Sequence, residues 1–502
     1  MTPSMTPSFA LPATRPTFAD RLRPHRNQLM LGLSLGLATE LFLDGANYGL
    51  GHALFAVLVG AFTAISAGEE AWQSAGAHRW LLVGAVLLLA STMLHDAAWL
   101  STLCSLAAAL LYALALQGWN GERQLSTLRT GQLLGAPFKT AGQSLFAGAL
   151  VTSRQLEHAN VNSTFRKYAP GALRLMVIVL PPVFVLTLLL SSGDALFRAR
   201  LEGIEKALFG IPLEGFVRGS FVTLIAGLVL TGALALASRR KDDVVPSAPS
   251  RALRAFESFA LLGTLTSLLL FYGLTSTPCA LAPASCALPE GVTYADAAHE
   301  GFFQLLFAAI GILLLLMALP ARTQLESKKS QLTFTALSTA LVLATMPMLS
   351  SGVARLWRYE SIYGLTVLRL LAYAGLALVA AVLAWRALTL WVFAEAFVGG
   401  AIGLCTVTLL GLAALSPDAY IARQNVKREQ VDVAYLVLLS DDALPALLEA
   451  QDRLPAQPYV VLSEVLAWRA QRLGANESLL TWNLGRARTR AALAPLLPKP
   501  PG

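Results

Sequence analysis

Charge is what this sequence has least of. Of its 502 residues only 14% are Asp, Glu, Lys or Arg, whereas 55% are hydrophobic; soluble domains carry about 25% charged residues. The shortfall excludes a soluble multidomain enzyme, a disordered chain and a nucleic-acid-binding module, so no nucleic-acid partner is expected. Catalytic signatures are missing as well: there is no P-loop, no G-x-S-x-G, no H-E-x-x-H and no C-x-x-C. The six histidines, at 25, 52, 78, 95, 158 and 299, are scattered, and no pair has helix-face metal spacing. Neither a metal nor a cofactor is expected. His95-Asp96, in a tight inter-helix loop, is read as a coincidence of neighbours.

What the chain has in abundance is apolar sequence of membrane length. A helix crossing the hydrocarbon core needs roughly 20 mostly apolar residues. Eleven segments qualify, near 28–45, 50–67, 80–95, 97–117, 171–191, 217–238, 254–275, 301–320, 331–350, 363–385 and 391–415. Trp385, Arg386 and Trp391 mark the turn that divides the last apolar run, because Trp and Arg favour the interface. Pro181-Pro182 kinks the fifth segment. The expected fold is all-α: a disordered cytoplasmic stretch (1–27), a polytopic transmembrane bundle of about eleven spans (28–415) and a small helical extramembrane domain (416–502). The Arg- and Pro-containing residues 1–27 have no apolar core, so a cleavable signal peptide is not expected there.

The net charge of +8 is a topology signal. Basic residues collect before the first span, in 118–169, in 239–251 and in 322–329, all on one side if there are eleven spans. The opposite loops 46–49 and 276–300 carry no Lys or Arg. By the positive-inside rule the N-terminus is cytoplasmic and the C-terminus periplasmic, and the bilayer itself is the first partner. Cys279 and Cys286 share the basic-free loop, where the compartment permits a disulfide; two unpaired residues are the alternative. Cys104 and Cys405 fall inside spans as inert packing residues.

Outside the bilayer, 141–157 reads as an amphipathic surface helix or as a plain basic loop. In 193–209, Phe197, Leu201, Ile204 and Leu208 fall on one helical face, with Asp194 placed to cap it. Residues 416–502 contain two helix starts, Ser416-Pro417-Asp418 and Ser440-Asp441-Asp442, followed by periodic segments. Four or five short helices without strand signals suit a domain that binds a protein partner.

Ionisable residues within spans are functional candidates by default. The richest cluster is 355–373. Continued as one helix, it places Arg355, Tyr359, Tyr363, Thr366, Arg369 and Tyr373 on one face, with Arg358 and Glu360 beside it. Arg369 should face the interior and pair with an acid: Glu360, Glu300, Glu257, Glu40 or Asp44. The stripe is either an anion-binding or gating element, or a structural ion pair and tyrosine seam.

Several stretches resemble a known family. TYADAAHEGFFQL (293–305), ESIYGLTVLRLLAYA (360–374), SPDAYIARQNV (416–426), VDVAYLVLLSDDALPAL (431–447), WNLGRAR (482–488) and SSGDALF (191–197) are similar to the bacterial multi-pass membrane family labelled domain of unknown function 4173. The resemblance implies a bacterial inner-membrane location and carries no activity. It draws Glu300, Tyr363 and Asp418 toward one membrane face. The leading expectation is a non-enzymatic envelope sensing or scaffold protein acting through 416–502. The alternatives are a transporter or channel using the Arg369 stripe, and a membrane enzyme on a lipid-linked substrate with Asp194 or Glu300 as acid or base.

Overall fold

The computed structural model describes residues 28–43, 48–69, 72, 76, 78–119, 140–145, 147–152, 154, 214–237, 253–281, 294–450, 456–474 and 478–494. These residues form an all-α bundle. Its long helices are α1 (Gln28–Phe42), α2 (Leu50–Ala67), α3 (His78–Ser91), α4 (Ala98–Trp119), α5 (Glu214–Ala237), α6 (Ala255–Leu281), α7 (Tyr294–Arg322), α8 (Lys328–Tyr363), α9 (Val367–Trp391) and α10 (Phe397–Leu415). Ten of the eleven expected segments are thus helices; the eleventh, 171–191, lies outside the described residues, as does 193–209 with Asp194. Six helical segments among the described residues are long and apolar enough to cross a membrane. Leu268, Phe271, Leu343 and Val407 project outward from them, each at least 60% exposed. So wide an apolar surface is costly in water and natural in lipid.

Two helical layers carry the core. Leu81, Leu88, Leu100 and Leu111 pack α3 and α4 against α10 through Leu412. Leu262, Leu316, Leu341 and Leu383 join α6, α7, α8 and α9. On the other side α5 runs along α1 at very short range. A Cβ at Gly32 would overlap Thr231, and one at Gly36 would overlap the Thr223 carbonyl, so this glycine spacing lets the two backbones touch. The helix within 140–152 is not a free surface helix: its Ala147 and Val151 are buried against Ala235 and Leu236 of α5. Beyond helices, β1 (Leu253–Arg254) pairs in parallel with β2 (Thr323–Gln324), tying together the chain at the starts of α6 and α8.

The described residues from 416 onward form a compact helical unit: α11 (Pro417–Asn425), α12 (Val433–Leu436), α13 (Leu444–Ala450), α14 (Ala456–Gly474) and α15 (Leu484–Leu493), with 3-10 turns at Asp441–Ala443 and Leu479–Thr481. Both expected helix starts are present. Its core, built on Ile421, Leu436, Leu447, Leu466 and Leu493, also takes in Leu365 and Leu370 from the α8–α9 junction.

The expected continuous stripe over 355–373 does not exist. α8 ends at Tyr363 and α9 begins at Val367. Gly364 has φ +79° and ψ 174°, a conformation open essentially to glycine alone, and a Cβ there would come within 3.0 Å of Asn425 Oδ1. Thr366 then caps α9, its hydroxyl accepting from the Arg369 amide. Periodicity hid this break because apolar residues continue on both sides of it. With 36 residues at about 1.5 Å each, α8 is roughly 54 Å long, well beyond a hydrocarbon core of about 30 Å. Its polar end therefore extends past the apolar zone.

Candidate functional site

The 355–373 cluster is a helix junction. Arg369 makes no ion pair among the described residues, which leave out Asp44 and the Glu300 side chain, two of the acids expected as its partner. Its Nη1 donates to the carbonyls of Tyr363 (3.1 Å) and Gly364, and its guanidinium lies 4.4 Å from the Tyr359 ring centre. Arg428 completes the same cap, donating to the carbonyls of Glu360, Ser361 and Ile362 at 2.8–3.1 Å. Two cations thus meet the negative end of α8, where Glu360 O still accepts from Gly364 N at 2.7 Å and the carbonyls beyond it have no helical donors. Glu360 accepts from the Tyr373 hydroxyl at 2.7 Å. Tyr359 and Tyr363 pack ring to ring at 4.8 Å. Arg355 is half-buried with no ion pair among the described residues, and Arg358 lies on the last turns of α8. Asn425 closes the junction like a strand: its amide donates to Leu365 O (2.7 Å) and accepts from Leu365 N (2.8 Å).

Arg386 is corrected too. It lies within α9 rather than at an interfacial turn, only 6% exposed. It donates to Leu316 O of α7 at 2.9 and 3.2 Å and stacks on Phe397 at 4.7 Å. The chain turns later, at 392–396, and the Trp385 indole donates across this turn to Phe397 O at 3.2 Å. Glu300 falls within α7 and Cys279 in the last turn of α6; Cys286, and with it the proposed disulfide, lies outside the described residues.

The densest polar chemistry sits where the C-terminal unit meets the bundle. The α3–α4 loop contributes His95 and Asp96, α11 contributes Asp418, the 441–443 turn contributes Asp441 and Asp442, and α14 and α15 contribute Arg469, Arg472 and Arg486. His95, Asp418, Asp441, Asp442 and Arg486 are all under 9% exposed. Arg486 forms an ion pair with Asp96 and donates to Tyr48 O at 2.9 Å. Asp441 is held between Arg469 (3.2 Å) and Arg472, while its carbonyl accepts from Thr489 at 2.6 Å. The loops interlock reciprocally: Asp96 N donates to Asp442 Oδ2 at 2.7 Å, and Asp441 N donates to Asp96 Oδ2 at 3.4 Å. Asp418 accepts from Ser440 N at 2.9 Å. Gly485 is required beside Asp442, since any Cβ there would overlap Asp442 Oδ1.

Asn483 is the hinge pin of this junction. Fully buried, its amide donates to His95 O (2.8 Å) and Thr92 O (3.1 Å), while its carbonyl caps α15 by accepting from Gly485 N and Arg486 N. Backbone bonds flank it, Leu484 N to Met93 O and Leu50 N to Trp482 O, both 2.8 Å.

Burial governs the electrostatics. It pushes the Asp442 carboxyl up to about 7, reinforced by the nearby charges of Asp96, Asp418 and Asp441. Asp96 is raised for the same first reason, against the pull of Arg486. His95 is driven down to about 4 by burial, with Asp418 opposing. Both His95 ring nitrogens, Asp418 Oδ1 and the Ser440 hydroxyl have no hydrogen-bond partner among the described residues. No group of three His, Cys, Asp or Glu there is arranged to hold a metal. The sequence reading selected Asp418 but passed over Asp96, Asn483 and Arg486. The available signal was a charged, helix-capping stretch (WNLGRAR) out of keeping with a free surface.

No curated protein and no solved structure matches the chain. A family model described as a domain of unknown function, DUF4153, matches residues 81–450. That span includes His95, Asp96, Asp418, Asp441 and Asp442 and stops short of Arg469, Arg472 and Arg486. The label is 4153 rather than the expected 4173; short apolar-rich motifs separate such families poorly. With well over half its length matched, the chain belongs to the DUF4153 family of unknown function.

Proposed function

We propose that this protein is a non-enzymatic coupling component of a bacterial inner membrane. Its C-terminal unit stands on the periplasmic side, senses or scaffolds a partner in the envelope, and passes that state to the helix bundle. One observation carries the reading: a single unit grips three separate inter-helix connections. Trp482, Asn483 and Arg486 hold 48–50, Asn483, Leu484 and Arg486 hold 92–96, and Asn425 holds Leu365. Movement of the unit must therefore move the ends of α2, α3, α4, α8 and α9. The periplasmic placement is supported by the basic residues Arg322, Lys328 and Lys329, which lie where α8 begins, at the far end of that helix from the Gly364 junction.

The binding surface is drawn from the exposed apolar side chains of the unit. Leu438, Trp468 and Leu479 are 80%, 60% and 74% exposed. Photocrosslinking residues placed at Leu438 and Trp468 of the full chain in growing cells should give discrete protein adducts. Lipid adducts alone would overturn the scaffold reading. Arg369→Gln, reconstituted in vesicles, separates out the transporter alternative: loss of solute flux with the fold retained would favour transport, since capping α8 requires no flux.

A further inference from the structure

We propose that the buried junction between the C-terminal unit and the α3–α4 loop is a proton-binding site, with one solvent-derived proton held on the Asp442 carboxylate. The first observation is a charge imbalance. Four carboxylates, Asp96, Asp418, Asp441 and Asp442, meet three guanidiniums, Arg469, Arg472 and Arg486. Three of the four are at most 6% exposed, so the excess negative charge has little water to stabilise it.

The ion pairs show which acid is left over. Asp96 has Arg486, and Asp441 has both Arg469 and Arg472. Asp442 and Asp418 have no ion pair among the described residues; each accepts one backbone N–H, from Asp96 and Ser440 respectively. Asp442 lies against three further carboxylates, Asp96, Asp418 and Asp441, whereas Asp418 also faces His95 and Tyr435. Protonating Asp442 removes the repulsion from Asp96, Asp418 and Asp441 and leaves three carboxylates opposite three guanidiniums.

A second, independent observation is the uncompensated polarity next to Asp442. Asp418 Oδ1 is a buried acceptor with no donor, and His95, 0% exposed, has neither nitrogen partnered among the described residues. Buried polar atoms are nearly always satisfied. The negative charge beside Asp442 is therefore poorly compensated, and His95, held neutral by burial, takes up a proton beside Asp418 only in acid, near pH 4. The step is a plain association: the Asp442 carboxylate takes a proton from water and becomes a neutral carboxyl. In the coupling role proposed above, this makes the grip of the unit respond to pH; the proton site itself does not depend on any partner.

The test is infrared difference spectroscopy of the full-length protein in lipid vesicles across a pH series. The expected result is a protonated-carboxyl carbonyl band that disappears as pH rises through about 7, is absent in Asp442→Asn and persists in His95→Asn. No titrating band in the unaltered protein would overturn the proposal without reliance on any variant. So would a band kept in Asp442→Asn and lost in Asp96→Asn. Partner adducts at Leu438 or Trp468 are unaffected by either failure, so this proposal and the scaffold reading fall separately.

Discussion

Replacing Asn483 by Ala should loosen the C-terminal unit more than any other single truncation in it. The side chain is fully buried, at 0% exposure. Truncation removes the cap of α15, which costs about 1 kcal/mol. It also strips donors from the buried carbonyls of Thr92 and His95, at about 1–3 kcal/mol each. The sum is roughly 3–7 kcal/mol, a large part of the stability of a small domain. Asn483→Asp separates the contributions. It keeps an oxygen for the cap but turns a second oxygen onto two carbonyl oxygens, so it should be at least as destabilising. The assay is hydrogen exchange of the Leu50, Asp96 and Leu484 amides in micelles, since these N–H groups bond across the junction. Both variants should speed exchange there while the core of α6–α9 is unchanged. Exchange in Asn483→Ala equal to the original, or Asn483→Asp as stable as the original, would refute the reasoning.

Other outcomes follow from the same geometry. Gly364→Ala should cost about 1–3 kcal/mol from its glycine-only backbone, with added crowding against Asn425, as read from chemical unfolding midpoints. Arg428→Ala should cost about 1–2 kcal/mol by leaving three α8 carbonyls without their charged donor, and Arg428→Lys should restore only part. Gly36→Leu should force α1 from α5, measured as lost crosslinking between cysteines introduced on the two helices. For pH, Asp442 is raised from 3.8 to about 7, so the folded protein keeps a proton the unfolded chain has lost. Its contribution falls as pH rises through that window and is constant above it. His95, lowered from 6.5 to about 4, opposes this, adding stability as pH rises from 4 to 6.5. The advantage of Asp442→Asn over the original should therefore grow between about pH 4 and 7, reaching at most about 4 kcal/mol; a constant difference would contradict it.

The sequence by itself determined the class of this protein. Long apolar runs admit only helices, because the backbone must satisfy its own hydrogen bonds in lipid; helices cover ten of the expected segments, six of them long and apolar enough to cross a membrane, and several run well beyond the expected bounds, as Lys328–Tyr363 does beyond 331–350. The helix starts at Ser416-Pro417-Asp418 and Ser440-Asp441-Asp442 were legible from a local signal, a first-turn proline or acids, although neither Ser416 nor Ser440 makes the expected side-chain cap. The function-bearing groups were not. Arg369 looked like a membrane-buried charge because periodicity continues through Gly364, and only the fold shows the break that sets it against carbonyls. His95-Asp96 looked like a coincidence because its partners are more than 300 residues away. Whether a buried charge is paired, left over or protonated depends on which distant loops meet, and only the tertiary structure decided that Asp96, Asp442, Asn483 and Arg486 would.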